Sequence, residues 1–420
     1  MNDIQPAASG LTCDALPEGT LTVEQAQERI LSAIHALTAR ERVNLHQAAG
    51  RILADDVQAG FDVPPHRNSS MDGYAFRQEG ITAGSRLRVI GKSFAGRPFL
   101  EPVAAGECVR IMTGAMLPPD TDTVEMQENV RLEGEQAVLL AECAHGSNVR
   151  YPGDDLRAGD CILQQGRKLN AADLGLLASL AIGEVDVLRR PRVAFFSTGD
   201  ELKPIGSPLL PGDIHDSNRY TLYAMLQKLE VEMVDMGIIP DQAAAVEQAF
   251  TDASRIADVL ITSGGVSVGD ADYVTATLAK LGQVNFWKMA MKPGKPFAHG
   301  RLGNCLFFGL PGNPVSVMAT FLLFVRPAIL KLRGEAVPVL QEQNAIALTP
   351  LKKTPGRKDY QRGICARDAQ GHWQVSSTGK QESHMLRSMS QANCFIVLAR
   401  DSGDMAAGSH VSILPFSELL

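Results

Sequence analysis

Five short polar segments of this sequence carry the side chains that could do chemistry. Each is rich in Gly, Pro, Lys or acidic residues, and together they read Ser197-Thr-Gly-Asp-Glu201, Pro240-Asp241, Thr262-Ser-Gly-Gly-Val-Ser-Val-Gly-Asp-Ala-Asp272, Lys292-Pro-Gly-Lys-Pro296 and Leu310-Pro-Gly-Asn-Pro314. The first three directly follow predicted strands. Ligands of open α/β sheets bind outside the carboxyl ends of the strands, so we predict that all five segments meet at one edge of a sheet.

The chemistry of these segments favours an anion site. A Ser-Gly-Gly-Val-Ser run lets backbone N–H groups approach an anion without Cβ clashes, next to a helix N-terminus. Lys292 and Lys295 supply positive charge. Pro311 and Pro314 stiffen a turn that presents Asn313. Each segment taken alone is more often an ordinary turn or helix-entry loop, but their convergence favours phosphate or oxyanion binding.

Two acidic residues of these segments suggest a magnesium site. Glu201 and Asp272 would reach the same edge of the sheet and could share Mg²⁺ with phosphate oxygens, since Mg²⁺ usually takes one or two protein carboxylates. The alternative is that both residues cap helices, each contributing about 1 kcal/mol of stability.

The elements that must position these loops alternate between strand and helix from residue 192 onward. This alternation predicts a doubly wound parallel α/β sheet. The predicted strands cover residues 193–197, 231–239, 257–262 and 305–310, and the predicted helices cover residues 216–229, 242–253, 273–281 and the segment from 315 onward.

The regions on either side of the α/β pattern show a different pattern of apolar and polar residues. Residues 1–20 are polar and predicted to be loose, and Thr22 and Gln25 form the pattern of a capping box at a helix start. Residues 51–150 alternate short apolar runs with Gly and Pro turns, which predicts a β-rich module. A buried helix is predicted over 171–181, and a small β-barrel or sandwich after about residue 340.

Length and composition limit the class of protein. The 420 residues suggest two to four domains, and 45% hydrophobic with 21% charged residues is ordinary for a soluble globular chain. The net charge of −7, without a large basic block, argues against nucleic acid and against an anionic membrane surface as partners. The long apolar stretch 315–332 contains Arg326 and Pro327, which favours a core helix over a membrane span.

The cysteines and the N-terminus indicate the compartment. Seven cysteines without a C-x-x-C pair argue against a disulfide framework and a structural zinc site, and free thiols suit a reducing cytoplasm. No signal peptide is visible before residue 20.

Several common catalytic motifs are missing from the sequence. It contains no Walker P-loop, no G-x-G-x-x-G after a strand and no H-E-x-x-H. Ser267 and Ser383 lack His and Asp partners at motif spacing, so a nucleophilic triad is disfavoured. His384 is interpreted as structural.

The polar segments, in this order, resemble those of the MoeA family, the molybdopterin molybdenumtransferases. The resemblance runs from about Thr20 to Phe416 and is highly specific. Further segments that carry it are Asn68-Ser-Ser-Met-Asp-Gly-Tyr-Ala75, Arg110-Ile-Met-Thr-Gly-Ala115, Gly153-Asp-Asp155, Ser217-Asn218, Phe286-Trp-Lys288, Lys353-Thr-Pro-Gly-Arg357 and Gln361-Arg-Gly363.

This resemblance implies a fold and an activity. It implies an elongated homodimer whose subunits contain a linking domain (21–50 and 154–188), a β-rich domain (51–153), an α/β molybdopterin-binding domain (189–337) and a C-terminal β-barrel (338–420). The substrates would be adenylylated molybdopterin and molybdate, with AMP released and Mg²⁺ required. The cleft would lie between the α/β domain of one subunit and the β-rich domain of the other. Contact with a molybdopterin adenylyltransferase is a further expectation.

The resemblance also implies roles for individual residues. The catalytic positions are Asp155, Glu201, Asp241, Asp272, Lys288 and Lys292, of which Glu201 and Asp272 would bind the metal. The substrate-binding positions are Thr198, Gly199, Ser217, Asn218, Ser263, Gly264, Gly265, Val266, Ser267, Lys295, Pro311, Gly312, Asn313 and Pro314, with Arg362 and Ser383 at the oxyanion end. The chain departs from the family at Arg67, where relatives often carry an acidic residue, so no carboxylate role transfers to that place.

Three alternatives remain at this point. A molybdopterin adenylyltransferase shares the α/β domain but usually lacks the flanking domains. A non-enzymatic scaffold of the gephyrin type would more typically carry fused domains and long linkers, and would not need the acidic and lysine loops. A general sugar-phosphate or nucleotide binder would lack pterin-derived fluorescence after gentle purification.

Overall fold

The protein is described from a computed structural model, which covers residues 20–265, 277, 280 and 282–419. The chain divides into two compact units, one formed by residues up to Ala39 together with those from Leu188 onward, and one formed by Arg40–Val187. Of the predicted helix 273–281 only residues 277 and 280 are described, both as helical, and residues 1–19 lie outside the described residues. The four domain boundaries given above stay predictions.

A seven-stranded sheet forms the centre of the first unit. Its strands are, in spatial order, Thr20–Leu21, Gln283–Met289, Pro296–Leu302, Cys305–Leu310, Val259–Ser263, Arg192–Thr198 and Glu232–Ile239. The side chains alternate between the two faces, as the two-residue period of a strand requires. Phe195 and Ile261 lie in the core on one face, whereas Phe196 and Leu260 lie in the core on the other. The sheet is therefore buried on both sides, as the doubly wound prediction requires.

The sheet is not wholly parallel, which corrects the sequence-based prediction. Pro296–Leu302 runs antiparallel to both of its neighbours, while the other adjacent pairs are parallel. Leu302 pairs directly with Cys305, so only Gly303 and Asn304 connect these two strands. Such a tight hairpin can join only antiparallel strands, and the strand-helix alternation does not reveal it.

Helices cover both faces of the sheet. They are Val23–Ser32, Ser217–Lys228, Ala243–Ile256 and Pro314–Leu332, the last with a π-helical turn at Phe321–Val325. The predicted capping box of Thr22 and Gln25 is confirmed. The long apolar helix Pro314–Leu332 is 83% buried within the unit, which confirms it as a core helix.

The C-terminal part of the first unit is a closed five-stranded barrel. Its strands follow one another around the barrel in the order Lys358–Arg367, Trp373–Ser377, Gln343–Ala347, His410–Pro415 and Cys394–Leu398, and the last pairs again with the first. This confirms the predicted barrel. The short strand Met291–Lys292 also pairs with Lys358–Arg367, and this pairing ties the lysine loop of the α/β part to the barrel. The helix Leu386–Gln391 lies between the strands Trp373–Ser377 and Cys394–Leu398. The 3₁₀ turn Phe416–Glu418 follows the last strand, near the C-terminus.

The second unit is β-rich, as predicted. Its six-stranded sheet has the order Thr123–Met126, Gly73–Phe76, Glu107–Ile111, Arg86–Ser93, Gln136–Leu139 and Val130–Glu133. Three two-stranded ribbons pair Asn68–Ser69 with Val149–Arg150, Val57–Gln58 with Cys161–Leu163, and Arg40–Asn44 with Glu184–Leu188. The unit also contains the helical segments Leu45–Ala48, Gln127–Asn129 and Ala171–Ser179.

The helix Ala171–Ser179 corrects one expectation. It lies within the predicted range 171–181, but only Asp173 and Leu177 are buried in its nine residues. Its start is fixed by a capping box in which Asn170 and Asp173 exchange hydrogen bonds, and Asp173 also pairs with Arg167. The apolar composition of the segment therefore does not translate into a fully buried helix.

Candidate active site

A cleft of about 1390 Å³ opens in the first unit between the α/β part and the barrel. One side, the α/β wall, consists of Thr198, Gly199, Glu201, Ile214, Asp241, Gly264, Gly265, residues 292–296, residues 311–313 and Ser316. The other, the barrel wall, consists of residues 350–352, Arg357, Gln361, Ser377 and residues 379–384. The described residues of all five polar segments therefore contribute to one cleft, as predicted, although the third segment is described only as far as Gly265.

Acidic side chains collect at one part of the α/β wall. Glu201 and Asp241 both line the cleft, and each follows the carboxyl end of a neighbouring parallel strand. Partial burial raises the pKa of the Asp241 carboxyl, and the nearby negative charges of Asp200 and Glu201 raise it further. Such crowding of carboxylates is relieved by a bound cation.

The loop that carries Glu201 does not enter a helix directly. It continues into the short strand Leu202–Lys203, which pairs with Ile214–His215. The next helix begins at Ser217 and is capped by Asp216, whose carboxylate accepts from the Arg219 N–H. The helix-cap alternative for Glu201 is therefore wrong in this structure.

Glycine is required at two places on the α/β wall. A Cβ at Gly199 would lie 2.7 Å from the Oε2 atom of Glu201, so glycine lets this carboxylate fold back over its own loop. Gly264 has φ +92°, and a Cβ there would lie 2.6 Å from the Thr198 carbonyl oxygen. Its N–H donates to the Leu310 carbonyl. The Gly-Gly turn thus lies tightly between two strand ends, where it leaves room for a ligand.

One amide side chain joins three of the predicted segments. Asn218 Nδ2 donates to Ser263 Oγ at 2.8 Å and to the Gly312 carbonyl at 2.7 Å. Asn218 and Ser263 thus lie behind the cleft lining and fix its loops, whereas Ser217 is exposed at the start of the helix Ser217–Lys228 and does not line the cleft. Pro314 has a similar place, because it opens the helix Pro314–Leu332 and does not line the cleft.

Several cations face the cleft without a protein partner. Lys292, Lys295, Arg357 and Lys380 line it, and none forms an ion pair or side-chain hydrogen bond with another described residue. Lysine and arginine at a shared concave surface, with their charge uncompensated, are suited to hold an anionic ligand.

Arg362 lies behind the barrel wall and not in it. Its side chain is almost fully buried. The guanidinium donates to the carbonyls of Gln381 at 3.2 Å and Glu382 at 3.0 Å, and its Nε donates to Ser388 Oγ at 2.9 Å. Burial lowers the pKa of Arg362 to about 10. Arg362 therefore holds the loop 379–384, which presents Ser383 to the cleft.

The remaining predicted site residues lie elsewhere. Lys288 is exposed on the strand Gln283–Met289, outside the cleft lining. Asp155 and Arg67 belong to the second unit, where Asp155 is exposed and its N–H donates to the Val63 carbonyl. Val266, Ser267 and Asp272 lie outside the described residues.

The barrel wall contains residues that sequence reasoning did not assign to the site. They are Lys352, Arg357, Gln361, Lys380, Gln381, Glu382 and His384. His384, interpreted as structural from the sequence, is an exposed residue of the cleft lining whose Nδ1 lies 3.6 Å from Glu382. Two features of the sequence could have indicated that this region belongs to the site: a Thr-Pro-Gly-Arg turn and a run of polar residues at 377–384. Neither indicates by itself that a distant barrel faces the α/β loops.

The fold and this cleft define a multidomain α/β protein with a polar cleft beside a C-terminal barrel. Three family models match successive parts of the chain: the MoeA N-terminal region (domains I and II) at residues 21–181, a probable molybdopterin binding domain at 194–331, and the MoeA C-terminal region (domain IV) at 344–416. The chain belongs to the MoeA family.

Individual relatives agree with this membership. The chain is 47% identical to a molybdopterin molybdenumtransferase of Haemophilus influenzae over 95% of this chain and 100% of that protein. It is 34% identical to a gephyrin of Dictyostelium discoideum over 89% of this chain and 59% of that protein. The crystal structure of a molybdopterin biosynthesis MoeA protein from Pyrococcus horikoshii matches with TM-score 0.78 and 28% identity, over 94% of this chain and 100% of that one.

Proposed function

We propose that this chain is a molybdopterin molybdenumtransferase, which transfers molybdenum from molybdate to adenylylated molybdopterin and releases AMP. The observation that carries the proposal is the cleft, which has carboxylates at one part and, at another, cations that have no ion-pair partner among the described residues. Family membership with 47% identity to a named transferase along nearly the whole chain supports the same activity.

The two kinds of charge in the cleft suit the two ends of this reaction. A phosphoanhydride is polyanionic, and molybdate is a small dianion, so both need positive charge or N–H donors. Lys292 and Lys295 lie on one short loop of the α/β wall, and Lys380 lies on the barrel wall. We propose that these cations hold the phosphates and the molybdate while the Gly264–Gly265 turn offers the Gly265 N–H, since the Gly264 N–H donates to the Leu310 carbonyl.

The acidic part of the cleft fits Mg²⁺. Glu201 and Asp241 are the described carboxylates that would hold it, and Asp272 is a further ligand proposed from the sequence. No group of three or more His, Cys, Asp or Glu side chains among the described residues forms a closed metal cage. Mg²⁺ does not need one, because it completes its shell with phosphate and water. When bound, it would neutralise phosphate charge and polarise the anhydride.

The protein's own residues contribute chiefly by positioning. Asn218 fixes the loops that end at Ser263 and Gly312, so the phosphate-facing backbone is rigid before substrate arrives. Pre-placed donors need no reorganisation during the reaction, and this lowers its barrier. Arg362 acts on the oxyanion end through the loop that carries Ser383, whose carbonyl in turn accepts from the Val315 N–H at 3.1 Å.

Assembly and location are further parts of the proposal. We propose a homodimer in which Asp155 and the segment 68–75 of one subunit complete the cleft of the other, with Lys288 and Pro314 near its margin. Light scattering should give the mass of a dimer, and a fully active monomer would remove the shared cleft. The described cysteines are all free, which supports a reducing cytoplasm. Contact with a molybdopterin adenylyltransferase is also proposed.

The decisive experiment is an assay with adenylylated molybdopterin, molybdate and Mg²⁺. We expect AMP release that depends on both molybdate and Mg²⁺. An adenylyltransferase would instead consume ATP and unmodified molybdopterin. Absence of AMP release from correctly folded protein under these conditions would reject the proposed reaction.

A further inference from the structure

A tight turn at residues 354–357 brings an arginine to the barrel wall. Arg357 is exposed in the cleft, and its guanidinium has no hydrogen-bond or ion-pair partner among the residues that the structure describes. A flexible arginine in such a place would lose rotamer entropy on binding a ligand. The backbone that carries it is, however, held from behind.

The residue that holds the turn is Lys353. Its side chain is fully buried, and its ammonium donates to the Arg357 carbonyl at 2.7 Å and to the Thr354 carbonyl at 2.9 Å. The Arg400 carbonyl lies 3.4 Å away. The ammonium thus has a backbone carbonyl near each of its three N–H bonds. Two of these carbonyls belong to the two ends of the turn, and the third, that of Arg400, follows the end of a neighbouring strand.

The ion pair of Lys353 is secondary to these backbone contacts. The nearest carboxylate oxygen, Asp359 Oδ1, is 3.8 Å from the ammonium, beyond hydrogen-bond distance. The Gly356 N–H donates to the Arg400 carbonyl at 2.8 Å, so the same strand end anchors the tip of the turn. A buried lysine is costly unless its donors are satisfied, and here they are satisfied by fixing one short piece of backbone.

The neighbouring lysine gives a contrast within the same chain. Lys352 has a side chain that is 88% exposed and pairs with Asp404 at 2.6 Å. An exposed pair of this kind contributes little to stability or to shape. Two adjacent lysines therefore differ in kind, and only Lys353 determines where the turn places Arg357.

We propose that Arg357 is a substrate-binding residue for an oxyanion, either a phosphate of the pterin substrate or molybdate, and that Lys353 is the positioning residue that holds it at the cleft. This inference rests on the proposed function, because it assigns two further residues to that reaction. Its binding part can nevertheless be tested without turnover.

The test compares four variants of the full-length protein: Arg357→Gln, Lys353→Met, the double variant, and Arg367→Gln as control. Arg367 is another barrel arginine, which lies over the Trp373 ring and not in the cleft. KM is measured separately for adenylylated molybdopterin and for molybdate, and calorimetric titrations use molybdate alone and AMP alone. We expect Arg357→Gln to raise one KM about tenfold, the loss typical of one charge-assisted hydrogen bond, with kcat changed less than about twofold.

The substrate whose KM rises identifies the source of the oxyanion. Lys353→Met should raise the same KM, and the double variant should be no worse than the more impaired single variant, because both changes remove one interaction. If the effects of the two single changes on KM add up in the double variant, Lys353 has a merely structural role. The same conclusion follows if Lys353→Met lowers the melting temperature but leaves KM unchanged. If Lys353→Met does not fold, Lys353→Arg replaces it, since a longer cation retains the donors but displaces the turn.

An unchanged KM for both substrates in Arg357→Gln, with unchanged titrations, would overturn the proposal. If the wild-type protein releases no AMP, the proposed function fails, but weaker binding of molybdate or AMP by Arg357→Gln than by Arg367→Gln would still support the inference. The two failures are therefore distinguishable.

Discussion

The α/β wall and the barrel wall of the cleft hold their polar groups by different means. On the α/β wall, Glu201 and Asp241 project from loops that directly follow sheet strands, so the sheet itself sets their position. On the barrel wall, the loops that face the cleft are held from behind by two buried cations, Lys353 and Arg362, whose donors bind backbone carbonyls.

This difference separates residues that touch ligands from residues that shape the surface. A strand end is rigid because its neighbours in the sheet fix it, so an exposed side chain there needs little further support. A loop between barrel strands has no such neighbours, and a long buried cation can replace them by bonding several carbonyls at once. Substitutions on the two walls should therefore fail in different ways.

The largest effect is expected on the α/β wall, for Glu201→Gln and Asp241→Asn. Each removes a carboxylate charge at the proposed metal site with little change in size, so kcat should fall about 100- to 1000-fold while the melting temperature stays near that of the wild type. AMP release and thermal unfolding are measured together. Glu247→Gln, on the exposed face of the helix Ala243–Ile256, is the matched control. Turnover at the wild-type rate in either variant would reject its catalytic role.

On the barrel wall, Arg362→Ala should affect stability and function together. The change removes the buried guanidinium and leaves partly buried carbonyls of the loop 379–384 without donors, which should cost about 3 kcal/mol of unfolding free energy. KM for molybdate should rise more than KM for the pterin substrate, because Ser383 lies on that loop. Urea unfolding and the two KM values measure this, with Ser388→Ala as a milder control that loses the bond from Arg362 Nε and the bond that Ser388 Oγ donates to the Met385 carbonyl. If Arg362→Ala and the wild type had the same KM for molybdate, Arg362 would have no role at the oxyanion end.

A smaller effect on stability is expected for Gly264→Ala. The residue has φ +92°, and the added Cβ would clash with the Thr198 carbonyl oxygen, so the Gly-Gly turn must move at a cost of about 2 kcal/mol. Among the described residues, an added Cβ at Gly312 would meet only the Gly264 Cα, at 4.0 Å. Gly312→Ala should therefore retain near-normal unfolding free energy. Equal stability of the two variants would show that the turn is not constrained.

The smallest effect concerns the pH dependence of stability. The folded protein raises the pKa of Asp241 above its usual value of 3.8, chiefly through burial. The protonated form is thus favoured by folding, and the stability it contributes is present below pH 3.8 and lost as the pH rises through the folded pKa. With metal chelated, Asp241→Asn should be more stable than the wild type at neutral pH, and this advantage should vanish in acid. Urea unfolding at several pH values measures it, and an advantage that persists unchanged in acid would contradict the raised pKa.

The local parts of this architecture could be predicted from the sequence. Apolar runs followed by Gly, Pro and charged residues located the ends of the strands Arg192–Thr198, Val259–Ser263 and Cys305–Leu310, because both the strand and its terminating turn are encoded within a few residues. Since adjacent parallel strands end at one edge, the meeting of their loops followed as well. The motif content in addition identified the family.

Tertiary structure alone decided the rest. The antiparallel direction of Pro296–Leu302, the burial of Arg362 behind a loop 18 to 20 residues away, and the closure of the barrel against the α/β loops all depend on pairings between distant parts of the chain. Lys352 and Lys353 are identical in type and adjacent in sequence, yet one is exposed and the other fully buried. Both lysines lie in the loop between the bridge residue Leu351 and the strand Lys358–Arg367, where no strand period decides which side chain faces inward. Only the folded barrel determines which side of this loop is the interior, and hence which lysine can bind a ligand and which can hold the backbone.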